Sequence, residues 1–103
     1  MRYIGPCAKV GLGVTISDDA RVYDYARVYD CTCVRNYAAV CNYAEVTGHA
    51  KVSGYAIIGG WAKLKGYVQV KGGAAIYGHS VLEGDATISS GVVSDVHWWR
   101  EIP

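Results

Sequence analysis

The chain has no phenylalanine, one methionine, two prolines and three leucines among its 103 residues. The large flexible side chains that fill helical bundles and wide sandwich cores are therefore scarce. The hydrophobic fraction of 51% is carried mainly by Val, Ile, Ala and Tyr, a composition that favours strands and leaves little room for helix. Charge of one sign is lacking too: 10 basic and 9 acidic residues, spread along the chain, give a net charge of +1. Neither a nucleic-acid-binding basic patch nor an acidic surface imitating nucleic acid is expected. No run approaches the roughly 18 apolar residues of a membrane-spanning helix, and no membrane association is expected. The opening "MRYIGPCAKVG" lacks the apolar core of a secretory signal. The four cysteines (7, 31, 33 and 41) have no C-x-x-C spacing. They read as free thiols in a reducing cytoplasm rather than as a disulfide framework. Cys31 and Cys33 would share one side of a strand, but two thiols without further ligands do not make a zinc site. No metal and no cofactor is expected.

What the chain does have is a beat of six. Stepping by six from Ile4 meets Val10, Ile16, Val22, Val28, Val34, Val40, Val46, Val52, Ile58, Leu64, Val70, Ile76, Leu82 and Ile88, with no exception among fifteen positions. Two positions before each runs a column of small residues, mostly Ala, from Ala8 to Val92. Two positions after runs a turn column: Asp18, Asp24, Asp30, Asn36, Asn42, then Gly48 through Gly84, then Ser90. Asp, Asn and Gly are the residues that accept left-handed backbone at a sharp corner. Neither a helix of period 3.6 nor a strand of period 2 repeats on six, so the beat belongs to the whole fold. Each hexad is a short strand with two inward residues, closed by a corner. Three hexads, 18 residues, make one triangular coil, and coils stack at about 4.8 Å, the spacing of hydrogen-bonded strands. A narrow triangular interior takes a branched aliphatic and an Ala but no Phe. The expectation is an all-β, single-stranded parallel β-helix of about five coils over residues 1–92, followed by a C-terminal cap or contact tail over 93–103. A solenoid of another coil shape and right-handed sense is the alternative.

The hexads "VTGHAK", "VSGYAI", "IYGHSV" and "LEGDAT" resemble those of the hexapeptide-repeat, single-stranded left-handed β-helix proteins. They match the family pattern at its first and fifth positions and depart at the second, because Gly falls third. The Ala-x-Val-x-Gly-x array looks like that of short, uninterrupted bacterial and prophage-borne proteins of this kind. The resemblance spans residues 4–92 and implies a left-handed solenoid.

Residues 18 apart should lie above one another, so the position after each turn residue can be read as a ladder. One edge carries Cys7, Tyr25, Tyr43, Trp61 and His79, with His97 next in the count. A second carries Asp19, Tyr37, Tyr55, Gly73 and Gly91, and a third Gly13, Cys31, His49, Tyr67 and Asp85. The first is an aromatic stripe. Beside it lie Tyr23 and Tyr77, and an outward column of Arg21, Ala39, Ile57, Ala75 and Val93 that is mostly apolar. Stacked rings can simply stiffen a corner. They can also anchor a partner, since Tyr and Trp are favoured at interfaces and an apolar patch of this extent is unusual on a solvated monomer. Tyr25, Tyr43, Trp61, His79, Tyr77 and Ile57 are the candidate partner-binding residues. The column Ser17, Arg35, Ser53, Lys71 and Ser89 is an ordinary wet face.

The tail "VVSDVHWWREIP" breaks the beat, with Ser94 in an aliphatic slot. An open solenoid end must be covered. Trp98, Trp99 and Ile102 are expected to cap it or, for Trp98 and Trp99, to join the contact surface.

Relatives implied by the resemblance include acyltransferases with a catalytic His, loop insertions and sites between the subunits of a trimer. Here no insertion interrupts the register. His49 and His79 fall on different edges, so they cannot converge within one chain on a general-base site. A three-His zinc centre finds at most the His79–His97 pair, and the threonines do not line up as an ice-binding face. The glycines occur one per corner, not as a phosphate-cradling loop. The expectation is a non-catalytic β-solenoid that binds a protein partner, with a homo-oligomer (a dimer first) as one form of that contact. The array fits a phage- or prophage-borne accessory protein that blocks a host-defence component in the manner of an anti-CRISPR inhibitor. An oligomeric acyltransferase and a structural spacer are the alternatives.

Overall fold

A computed structural model describes residues 2–94 and the backbone of the strand His97–Trp98. Its described residues contain short strands and tight turns and no helix. The strands form three parallel sheets, one on each side of a triangular solenoid of about five turns, and up to Thr87–Ile88 paired strands lie 18 residues apart. The first face stacks Tyr3–Ile4, Arg21–Val22, Ala39–Val40, Ile57–Ile58, Ala75–Tyr77 and Val92–Ser94. The second begins at Lys9–Val10 and ends at His97–Trp98; the third runs from Thr15–Ile16 to Thr87–Ile88. The long axis measures 33 Å and the other two 21 Å each.

Two-residue strands are too short to be stable alone, and here each strand between the end coils is held from above and below. Arg21 N–H donates to Ala38 C=O at 2.9 Å, Ala39 N–H to Ala56 C=O at 2.9 Å and Ile57 N–H to Ala74 C=O at 3.0 Å, one coil after another. The core is the double column read from the beat. Every member of the six-residue aliphatic column from Ile16 to Ile88 is at most 3% exposed, and the small column from Ala20 to Ala86 is buried throughout. Its two hydroxyls are satisfied locally: Thr32 Oγ1 donates to Tyr29 C=O and Ser80 Oγ to Tyr77 C=O, both at 2.8 Å. Val10, expected inside, is only half-buried, and Ile4 is 43% exposed, because the first coil has a neighbour on one side only.

The corners take the left-handed backbone expected of them. Asp18, Asp24, Asp30, Asn36 and Asn42 have φ between 57° and 66°, and Gly48 through Gly84 continue the column. The side chains also bond along the axis. Asp24 Oδ2 accepts from the Asn42 backbone N–H and from Asn42 Nδ2, both at 3.1 Å; Asn42 Oδ1 then accepts from Gly60 N–H at 2.9 Å. The Asp18–Asn36–Gly54 corner repeats the arrangement, and the third corner has the single Asp30–Gly48 step. Asp24→Ala removes the acceptor of two such bonds and puts a plain Cβ at positive φ. It should lower stability by about 1 kcal/mol, read as a lower thermal midpoint, with Asp24→Asn recovering most of the loss.

The register changes near the C-terminal end. Positive φ falls on Gly91 (84°), not on Ser90. Val92 then aligns with Ala75, Val93 with Ile76 and Ser94 with Tyr77, so the offset drops from 18 to 17. Val93, expected outward, sits in the inward register and packs on the core, while Val92 leaves the small column and is 72% exposed. The chain moves Val93 into the slot that Ser94 would have occupied, because an apolar side chain gains from that position and Ser does not. Stacking continues through the strand His97–Trp98, where His97 pairs with Val81 and Trp98 with Leu82. His97 therefore does not extend the edge that carries His79. Trp99 and Ile102, expected in the cap or contact tail, lie outside the described residues, as does the side chain of Trp98.

Candidate functional site

The edge between the first and second faces carries the expected stripe. Tyr25 and Tyr43 stack at 5.2 Å between centroids, Tyr43 and Trp61 at 5.6 Å, Trp61 and His79 at 5.1 Å, with ring planes within 10° of parallel. The next coil places each ring about one strand spacing above the last, so four rings form a continuous column. About half the surface of each of Tyr25, Tyr43 and Trp61 remains exposed. Stacking of this kind contributes about 0.5–1.5 kcal/mol per pair. It fixes the rings without hiding them.

The opposite margin of the first face carries a second, shorter stack, Tyr37 on Tyr55 at 5.0 Å. Between the two ridges the outward positions read Tyr3, Arg21, Ala39, Ile57 and Ala75, then Gly5, Tyr23, Cys41, Gly59 and Tyr77. Ala39 and Cys41 are 3% and 7% exposed, Ile57 is half-buried, and Tyr77 is 37% exposed. A Cβ built on Gly59 would lie 3.0 Å from Tyr77 Cε1 and 3.1 Å from Cδ1. The absent side chain is what lets the Tyr77 ring lie down along the sheet. From Ala39 to Tyr77 these two columns hold no charged side chain.

The other two faces contrast sharply. The second presents Lys9, Arg27, Glu45 and Lys63, with an Arg27–Glu45 ion pair at 2.7 Å, and the third presents Lys51, Arg35 and Lys71. The third corner does carry one ring pair, His49 on Tyr67 at 4.9 Å, but between two charged faces. Charge on the second and third faces and none across the middle of the first is not an average surface.

Of the candidate residues, the structure brings Tyr25, Tyr43, Trp61 and His79 together, with Ile57 and Tyr77 on the adjoining face. Sequence reading misses two features of the site. The Tyr37–Tyr55 ridge is legible as a column, but its link to the apolar face it borders is not. The second is the contact of Tyr23 with Cys41, one coil apart on that face. Burial raises the Tyr23 hydroxyl above its ordinary pKa, and the side-chain hydrogen bond with Cys41 adds to this. Burial also raises the Cys41 thiol, and the hydrogen bond to Tyr23 partly offsets it. Both groups are thus held neutral. Their stabilising contribution is complete below the ordinary thiol value of 9.0 and is lost as pH rises through the higher folded value. At pH 8 a maleimide should label Cys7 and Cys31, both exposed free thiols, and leave the buried Cys41 unlabelled until the protein is denatured. Mass spectrometry of labelled peptides reads this directly.

Clefts at the N-terminal half are shallow. One of about 260 Å³ is lined by Tyr3, Pro6, Cys7, Tyr23, Asp24 and Tyr25, and one of about 170 Å³ by Cys7, Lys9, Tyr25, Arg27 and Tyr43. Neither contains a histidine. His49 and His79 lie on separate edges, in different stacks. Among the described residues no group of three or more His, Cys, Asp and Glu is placed to hold a metal ion, and no helix is long and apolar enough to cross a membrane. The chain matches no protein-family model, no curated protein and no solved structure.

Proposed function

We propose that this chain is a non-catalytic β-solenoid of the left-handed hexapeptide-repeat kind that acts by binding a protein through its first face and aromatic edge. The observation that carries the reading is the uncharged strip from Ala39 to Tyr77, bordered by the Tyr25–Tyr43–Trp61–His79 stack and by Tyr37 and Tyr55. The rings are not needed inside, because Val, Ile, Leu and Ala already fill the core. Rings held by a stacked column lose little conformational freedom on binding, which suits them as anchors. The accessory role proposed is that of a phage- or prophage-borne protein that occupies a host-defence component and blocks it by contact alone.

The test is capture from a bacterial lysate by immobilised protein, with the Tyr43→Ala, Trp61→Ala double variant as control. The variant should keep the far-UV circular dichroism of the wild type and bind the captured protein at least tenfold more weakly, about 1.4 kcal/mol. Equal capture by both proteins would reduce the stripe to a corner stack. Turnover of an acyl-CoA that depends on His79 would replace the reading with the oligomeric acyltransferase.

A further inference from the structure

Resting on the reading of the first face as a contact surface, we infer that one occupant of that face is a second copy of this chain, paired antiparallel about a two-fold axis. Four features lead there.

The first is flatness. Successive rings along both ridges are within 10° of parallel, so one coil is barely rotated on the next. A straight, untwisted side can be laid against an identical one over its whole length. The second is size. The molecular extents of 33 and 21 Å give one side of the prism a projected area on the order of 700 Å², close to the ~800 Å² per partner of a stable interface. The third is charge. A face whose outward charges are all basic, as on the third with Arg35, Lys51 and Lys71, would repel its own copy. The strip from Ala39 to Tyr77 has nothing to repel.

The fourth is shape, and it selects the orientation. The sheet has six strands, and its midpoint falls between Ala39–Val40 and Ile57–Ile58. A two-fold axis through that midpoint, lying along the strands, sets each strand against its mirror in the order. Ile57, the largest outward aliphatic of the strip, then meets Ala39 of the second copy, and Ala39 meets Ile57 of the second copy. Each projection has a recess opposite, twice over, as an isologous contact requires. The same operation sets Arg21 against Ala75 of the second copy and beside Tyr77 of the second copy, where a guanidinium can rest on a ring. Pairing with the solenoid axes parallel would instead set each coil against its own copy and bring Arg21 near Arg21 of the second copy. The antiparallel arrangement avoids that repulsion.

Sedimentation equilibrium of the whole chain tests this. At about 100 µM the wild type should show twice the 11.1 kDa chain mass. Ile57→Lys should raise the dimer dissociation constant at least ~100-fold without unfolding, because Lys63 and Lys51 occupy the equivalent outward places on the other faces. Ala39→Ile alone should weaken pairing at least ~10-fold, and the exchange Ala39→Ile with Ile57→Ala should restore it to within about threefold of wild type. A wild type that remains at 11.1 kDa, or an exchange as weak as Ala39→Ile alone, overturns the pairing. A monomer that still captures a protein through Tyr43 and Trp61 overturns the pairing and keeps the face as a binding surface. A dimer that captures nothing supports the pairing and removes the heterologous partner.

Discussion

Val52→Asp should leave no folded protein at 25 °C. Val52 is fully buried in the aliphatic column, paired with Val34 below and Val70 above. Thr32 and Ser80, in the small column, each donate to a backbone carbonyl three residues earlier; the aliphatic column around Val52 is lined by Val, Ile and Leu side chains, which give a carboxyl no partner. Even protonated, a carboxyl buried without a partner costs about 2–7 kcal/mol, and the Val methyls are lost as well. A domain of this size is stable by about 5–15 kcal/mol in total. Position matters as much as magnitude. In a solenoid each coil is held by its neighbours alone, so a defect in the middle coils separates two halves that are each too short to stand. Lys51→Asp, one residue away and pointing out, is the control and should fold. A cooperative melt of Val52→Asp within about 5 °C of the wild type would mean that the column is not a continuous core.

Much of this core is legible in the sequence because the period fixes side-chain direction without any knowledge of contacts. A residue six along occupies the same place on the next face, and one 18 along the same place on the next coil. The columns Ile16–Ile88 and Ala20–Ala86, the corner φ values and the four-ring edge all follow from that. The register change at Gly91 does not. Periodicity extrapolates, whereas the chain takes the local solution that places Val93 over Ile76 and leaves Val92 outside. The cue is present in Gly91, a residue that accepts positive φ, one position later than the beat requires. The same extrapolation carries His97 to the wrong edge.

The candidate site is legible in its residues and not in its boundaries. A column of Tyr, Trp and His stands out in any count by 18. That the face beside it lacks charge, and that Tyr37 and Tyr55 close its far side, needs the three faces laid next to each other. The Asp–Asn–Gly ladders are a further case. The order Asp in the lower coils, then Asn, then Gly is written in the turn column. Its meaning is axial hydrogen bonding, because a carboxylate can accept from both the backbone and the side chain of an Asn above it, and an Asn amide oxygen can accept from the backbone N–H of a Gly. Tyr23 and Cys41 are paired by side-chain reach, which no periodicity encodes.

Gly60→Val should destabilise the protein well beyond the effect of Asp24→Ala at the same edge and disturb the ring column with it. Gly60 has φ of 62°, and a Cβ there would lie 2.6 Å from the Gly78 nitrogen and 2.9 Å from its oxygen. The neighbour is backbone, so it cannot swing aside. Left-handed backbone costs an ordinary L residue about 1–2 kcal/mol, more with branching at Cβ, and the clash adds to it. A total loss of about 3 kcal/mol or more is expected, measured by chemical denaturation. Asn at the same place is the informative comparison. Asn42, one coil below, already holds the same kind of φ, and its side chain reaches the N–H above it. Gly60→Asn must shift the Gly78 corner slightly but gains an acceptor for it, and it should cost at least ~1 kcal/mol less than Gly60→Val. Trp61 follows directly in sequence and sits between Tyr43 and His79 in the stack. A displaced corner therefore tilts its ring, and the near-ultraviolet circular dichroism of the stacked aromatics should weaken in Gly60→Val even where the protein is still folded. If Gly60→Val is as stable as Gly60→Asn and keeps the aromatic signal, the close approach of these corners is not what holds Trp61 in its column.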